Sequence, residues 1–567
     1  MVDVAIVGGG HNGLVTAAYL ARAGLSVTVL ERREIVGGAC VTEELIPGFS
    51  CSSCAYVAND LTPKVLHELD LRRFGLELYQ TGISIASISE DGRGFALYND
   101  LDRSLRELEG VGPREGEGLV RLGLRMARLA EIVHPTLLRS PPTLAELEGE
   151  LRAVGEGPLF EEFFKGSASD LLDHYFDSDV VKGMFAFFAM VSTYGGPRTP
   201  GTAYVYAHHS WGSFEGKLGQ FAFPRGGMGA ISESLAACTR HHGAVVRTDA
   251  EVRRIVAADG RAAGVELADG EVVEARAVVS NADPRVTFLD LTEKGVLDPG
   301  FVTAVERLDF RGTMARVHVA LDGLPEFVAG GAAPGPYHAG VTVAHASVDR
   351  LEAAWQAQRA GRIAEDPVVE FTVPTAHDPT LAPPGKHLLI TGVQQVPFDL
   401  AEGTWDDARA QFTRRVVAQL ARVSPGIEDR ILATATVTPL DLERTYGLTG
   451  GNIFHGALTL DQLFGGRPLP TCADYRTPLE GLYLCGSGTH PGGGVSGAPG
   501  HNAAWAVLED LRGLRPAPRA PWAPRRGPNL AERLVRRPRA RRAGVFLAKQ
   551  PWLRPAVARM AARGDDA

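Results

Sequence analysis

Cysteine is scarce: six residues in 567, at positions 40, 51, 54, 238, 472 and 485. So few, so scattered, exclude a disulfide framework and fit reduced thiols. Only Cys51 and Cys54 have Cys-x-x-Cys spacing. No second pair completes a zinc site and no helix start follows Cys51 to lower its pKa, so ordinary buried thiols are expected and no metal is. No run of eighteen uncharged apolar residues is found, which excludes a hydropathy-defined spanning helix. The opening strand begins almost at Met1, leaving no room for a cleaved signal, and a cytoplasmic location is expected. No Ser-His-Asp motif is evident. The charged fraction, 22%, is ordinary for a globular protein, and the length calls for two or three domains.

Charge is present but uneven. Residues 513–567 hold 14 Lys and Arg against 3 Asp and Glu, a local +11, so with a total of −9 the remaining 512 residues carry −20. The basic tail interleaves Arg with Leu534, Val535, Phe546, Leu547, Trp552 and Leu553. That composition suits a segment lying peripherally on an anionic membrane surface. A solvated arm, or a contact with the acidic body in a homo-oligomer, is the open alternative. No nucleic-acid recognition motif accompanies the charge, and nucleic acid is not expected as a partner.

Glycine is abundant where it matters. The strand-like run Val4-Ala5-Ile6-Val7 is followed by Gly8-Gly9-Gly10-His11-Asn12-Gly13 and a helix-like stretch from Leu14 to Ala23. A second strand, Ser26 to Leu30, ends on Glu31, 18 residues past Gly13. In such a unit Gly8, Gly10 and Gly13 let the backbone turn and approach a pyrophosphate at the helix N-terminus, and the acid bonds a ribose. A bare Gly-x-Gly-x-x-Gly is a weak signal; set between strand and helix it is a strong one. A second glycine-rich loop, Cys485 to Gly497, lies between a strand from Gly481 and a helix from Ala498 to Leu511.

Between these ends, residues 105–190 have helical periodicity, with Leu119, Leu122, Met126 and Leu129 on one face. Residues 160–215 are rich in aromatics, expected mostly in a core but dense enough to wall an apolar cavity. Short strands are predicted within 244–281, joined by Asp259-Gly260 and Asp269-Gly270, and within 310–322 and 366–396. Strands for the opening sheet thus come from both ends and the middle, which implies interleaved domains. The expected division is 1–95, 220–290 and 470–512 for dinucleotide binding, 96–219 and 291–469 for substrate, and 513–567 as tail.

Five segments together resemble one family: Ile6 to Leu14; Glu31 with Gly37-Gly38; Pro224-Arg225-Gly226-Gly227-Met228-Gly229; Gly450 to Gly456; and Thr477 to Gly494. Over most of residues 1–511 the chain is similar to the phytoene-desaturase-like FAD-dependent amine-oxidase (GR2) superfamily. Within it, the likeness is closest to a branch named for a pyridine nucleotide-disulfide oxidoreductase domain. The resemblance implies an α/β architecture, a Rossmann-type (GR2) FAD-binding domain interleaved with an α+β substrate-binding domain. It implies FAD extended along Gly8, Gly10, His11, Asn12 and Gly13, its ribose on Glu31, and Arg32 to Ala39, including Gly38, passing the pyrophosphate. Val252 and its neighbours would touch adenine, Gly486 the ribityl-phosphate, and Gly494 and Val495 the flavin ring. The helix from Ala498 would aim its N-terminus at the pyrimidine edge, where reduction places negative charge.

The branch name misleads in one respect: no disulfide-reductase dithiol and no second, nicotinamide-binding glycine loop are found. FAD is expected to be non-covalent, because Cys485 sits too far along the cofactor to reach the ring. The implied chemistry is hydride removal from a hydrophobic substrate with proton loss from the adjacent carbon, and reoxidation by oxygen or a quinone. Arg225, His455, His490 and His501 are the candidates for proton handling or orientation, although a structural role is the commoner fate of such histidines. A redox-neutral isomerase or saturase, and a non-enzymatic flavoprotein recruiting membranes or partners, are the alternatives.

Overall fold

In the computed structural model, residues 1–513 are described, apart from 211, 215–216 and 331–333. The basic tail, to which the membrane expectation belongs, lies outside the described residues beyond Gly513. Among the described residues no helix is long and apolar enough to cross a membrane.

The strand Val2–Val7 is buried on both faces and therefore reads as a near-continuous apolar run. Val4 and Ile6 pack with the helices His11–Arg22, Gly229–His241 and Ala498–Arg512. Ala5 and Val7 turn to the opposite face, against the antiparallel strands Val252–Ala258 and Arg261–Leu267. Five strands run parallel in the order Val245–Arg247, Val27–Leu30, Val2–Val7, Val272–Ser280 and Leu482–Leu484. Their register aligns the carboxyl ends: Val7 pairs with Leu30 and with Ser280, and Ser280 with Leu484. The segments after those ends are the first glycine loop, Glu31, Asn281 and Cys485-Gly486. One sheet edge therefore collects residues that are hundreds of positions apart, and ligands of open parallel sheets bind at such an edge.

A second seven-stranded sheet runs in the order Ile431–Val437, Arg316–Leu321, His387–Val393, Val369–Thr372, Val341–Ala344, Ile83–Ile88 and Gly94–Tyr98. The helix Trp405–Val423 covers it through Trp405, Phe412, Val416 and Leu420. Ile83–Ile88 and Gly94–Tyr98 depart from the expected division, which placed 1–95 wholly on the dinucleotide side. They pair into the second sheet because Ile83–Ile88 runs parallel to Val341–Ala344 and buries its apolar residues there.

The helical block follows from Leu101–Glu109 to Thr202–Ser210. Leu122, Met126 and Leu129 are buried on one face of the helix Glu115–Val133, with Leu119 packed beside them. Phe160, Phe163, Phe164, Phe176, Phe185 and Phe187 form its core. Thr143 with Glu146, and Ser167 with Asp170, close capping boxes that satisfy first-turn N–H groups.

Candidate functional site

A cavity of about 660 Å³ opens at the aligned strand ends and runs between the two sheets to the helical block. Gly8, Gly10, His11, Asn12, Glu31, Arg32, Gly38, Ala39, Val252, Gly494 and Val495 all line it, as does His455.

The first loop is shaped by contact as well as by dihedral freedom. Gly8 has φ +93°, open to glycine at little cost. A Cβ on Gly10 would stand 2.5 Å from Asn281 Nδ2. Gly13 does not line the cavity; a Cβ there would strike the Gly8 carbonyl, so it sets how closely the helix approaches its strand. The Gly9 N–H donates to Glu31 Oε2 at 2.7 Å and the Arg33 N–H to Oε1 at 3.0 Å. Both carboxylate oxygens are thus held in place at the strand end, with lone pairs remaining for a diol. Asn281, which no motif marked, ties the edge together. Its N–H donates to Val7 O at 2.8 Å, and its side chain lies against Gly8, Gly10 and Gly13. The available signal was a polar residue immediately after the apolar run ending at Ser280.

His11 Nε2, Asn12 Oδ1 and His455 Nδ1 are buried without a protein partner. Orphaned polar atoms beside a glycine cradle fit a dinucleotide rich in donors and acceptors. Burial, with the neighbouring His455 second, pushes His11 down to about 4. Burial likewise pushes His455 down to about 4, with Arg467 adding to the effect. Both imidazoles are therefore neutral at physiological pH. His455 holds a left-handed φ of +57°, a conformation that costs a non-glycine residue energy.

The second glycine loop is clamped from behind by Arg467, fully buried. Its guanidinium donates to the carbonyls of Ser487, Ala457, Gln462, Phe454 and Gly456, with the shortest bond, to Phe454 O, at 2.6 Å. Gly493 leaves room for the Phe454 ring, and a Cβ on Gly494 would stand 2.6 Å from Asp60 Oδ2. Gly486 is not in the lining; it packs under Asn281 and His455. The Ala498–Arg512 helix starts from Gly497 at φ +70°, and Thr16 Oγ1 bonds Gly500 O at 2.9 Å, seating the two dinucleotide-side helices on one another.

Three of the expected proton-handling groups stand elsewhere. Arg225 lies at the surface, bonded to Glu77 at 2.8 Å, because Gly227 and Gly229 of its motif serve close packing against Thr42. His490 is buried with Nε2 3.0 Å from Thr136 O, and burial pushes it down to about 4. His501 sits in a second buried polar pair, Nδ1 2.9 Å from Asn502 Oδ1 and Nε2 accepting from Trp505. None of the three lines the cavity. Asp60, not singled out from sequence, does line it. Burial pushes its carboxyl up to about 7.

Beyond Asp60 the wall is apolar, with Phe188, Val191, Phe221 and Met314, and ends at Tyr56, Arg316 and Glu370. All six cysteines are free and buried; burial raises Cys51 and Cys54 to about 11, which leaves them as inert thiols. Among the described residues no group of His, Cys, Asp and Glu is placed to hold a metal.

Residues 13–508 match the family model described as flavin containing amine oxidoreductase. The chain is 37% identical to pyridine nucleotide-disulfide oxidoreductase domain-containing protein 2 of Rattus norvegicus, over 90% of this chain and 94% of that one. It is 27% identical to a component of the limonene dehydrogenase of Castellaniella defragrans, over 90% and 95%. Cyclohexylamine oxidase from Brevibacterium oxydans superposes with a TM-score of 0.56 at 18% identity, over 90% of this chain and 99% of that one, a likeness of fold. The chain belongs to the flavin-containing amine oxidoreductase family.

Proposed function

We propose that the protein is an FAD-dependent dehydrogenase that desaturates a substrate with an apolar body. The observation that carries this reading is the continuity of one cavity from the dinucleotide-type strand edge to an apolar wall. The relative named for limonene, a hydrocarbon, supports it further. When bound, FAD supplies a hydride acceptor for a substrate C–H bond.

Gly8, Gly10 and the N-terminus of His11–Arg22 would hold its pyrophosphate, Glu31 its ribose, and the Gly494-Val495 backbone its ring. Phe188, Val191 and Phe221 exclude water and orient the apolar body. Asp60 beside Gly494 is the proton acceptor for the adjacent carbon. A carboxyl held near 7 is matched to proton transfer at neutral pH. Neutral His11 and His455 accept or donate hydrogen bonds at the cofactor without adding charge. Oxygen and a quinone are the electron acceptors to compare.

The test is anaerobic mixing of FAD-loaded protein with limonene, medium-chain carboxylic acids and cyclohexylamine. Bleaching of the flavin by an apolar-bodied compound, with a desaturated product, is expected. Bleaching by cyclohexylamine alone would make the protein an amine oxidase. Product formation with the flavin oxidised throughout would make it a redox-neutral isomerase.

A further inference from the structure

The far end of the cavity is built by three neighbouring strands of the second sheet. Glu370 pairs directly with Gly392. The register His318 with Ile390, continued by the Ala315–Val393 bridge, sets Arg316 opposite Gly392 on the other side. Arg316 and Glu370 thus flank a glycine on one face of the sheet. A Cβ on Gly392 would collide with the Glu370 carboxyl, so the bare backbone is what lets that side chain lie there.

Arg316 is 3% exposed and Glu370 2%. The guanidinium stacks 4.2 Å from the centre of the Tyr56 ring and donates from one terminal nitrogen to Thr391 O at 3.1 Å. The other terminal nitrogen is 3.9 Å from the Met314 thioether, and the Tyr56 hydroxyl interacts with both the guanidinium and the Glu370 carboxyl. Nε is buried without any acceptor, and so is Glu370 Oε2 without any donor. Burial also biases Glu370 toward its neutral form, only partly offset by Arg316 and Tyr56. A buried guanidinium with its Nε donor unspent is costly to leave alone. It is the group best suited to a planar anion.

Resting on the dehydrogenase reading above, we propose that this end of the cavity is a carboxylate subsite. Arg316 binds the carboxylate of a substrate whose apolar chain runs back along Phe188 and Phe221 toward Asp60. Glu370, which burial biases toward its neutral form, donates to the same group when protonated, and Tyr56 fixes the plane of the guanidinium. The substrate class is an apolar-chain carboxylic acid, in place of a bare hydrocarbon or an amine.

The probes are decanoate, decanol and decylamine, titrated by calorimetry into full-length FAD-loaded protein. The variants are R316M, R316K and E370Q, each checked for flavin content. Decanoate should bind at least tenfold tighter than decanol, as expected for a charge-assisted pair. R316M should remove that advantage, R316K should keep part of it, and E370Q should change decanoate affinity less than about threefold. Decanoate binding no tighter than decanol, or unchanged by a flavin-loaded R316M, would overturn the subsite. So would decylamine binding tightest and losing its affinity in E370Q. A protein that takes up no FAD counts against the dehydrogenase reading; one that takes up FAD and ignores decanoate counts against the subsite alone.

Discussion

The two sheets carry the same number of strands and meet the same cavity, yet they build their ends of it by different means. The parallel edge uses backbone: glycines at 8, 10, 13 and 494 keep side chains away, and orphaned polar atoms wait on a shaped ligand. The second sheet uses side chains, placing Arg316 and Glu370 either side of Gly392. A backbone cradle recognises a shape common to many proteins, whereas a side-chain notch selects among substrates. The first kind of site leaves a motif in the sequence and the second does not.

The largest effect should come from the backbone side. Gly10→Val places a branched side chain against Asn281 and into the cradle, and should leave less than about a tenth of the wild-type flavin after gel filtration. Retention of full flavin would break the assignment of that loop. Arg467→Met leaves Ser487 O of the second loop, and the carbonyls of Phe454, Gly456, Ala457 and Gln462 that back it, without their donor. It should cost about 3–5 kcal/mol in denaturant unfolding and weaken flavin retention with it.

Asp60 sits where the two kinds of site meet. Asp60→Asn should keep its flavin and lower kcat by about 10²-fold or more. Because a proton acceptor must be ionised, wild-type turnover should rise with pH and level off above about 7, a rise the variant lacks. The sign for stability is opposite. A carboxyl whose folded pKa lies above its unfolded value stabilises the fold only while protonated, and that contribution is lost as pH climbs through about 7. The Asn variant should therefore gain stability over wild type at pH 8 and gain none at pH 4, measured by urea midpoints. The smallest effect is reserved for Arg225→Ala, which removes an exposed ion pair with Glu77 and a longer one, 3.7 Å, to buried Asp378. It should change turnover less than about threefold and leave flavin content unchanged.

The dinucleotide edge was legible because its chemistry is local: strand, glycine turn, helix and acid fall within 31 residues. Asn281 and Arg467 belong to the same edge but act through contacts across the chain, and neither sits in a spacing that marks it. The strands Ile83–Ile88, Val341–Ala344 and Ile431–Val437 were missed because short apolar or mixed runs carry no decisive period, and their pairing is non-local. Arg225 shows the converse: a residue inside a recognisable motif whose glycines serve packing against Thr42 while its own side chain is spent on Glu77, Asp378 and the Tyr79 ring, away from the cavity. Asp60 and Tyr56 lie four residues apart on one loop that spans the cavity, near Gly494 at one end and Arg316 at the other. Only the fold reveals that span.

The most direct test of the account is a crystal structure of the full-length chain loaded with FAD. The account predicts non-covalent FAD with its pyrophosphate on Gly8–Gly13, its ribose on Glu31, and its ring against Gly494 with the substrate-facing side toward Asp60. A ring placed away from Gly494, or one whose open face is sealed from Asp60 and the apolar wall, would contradict it.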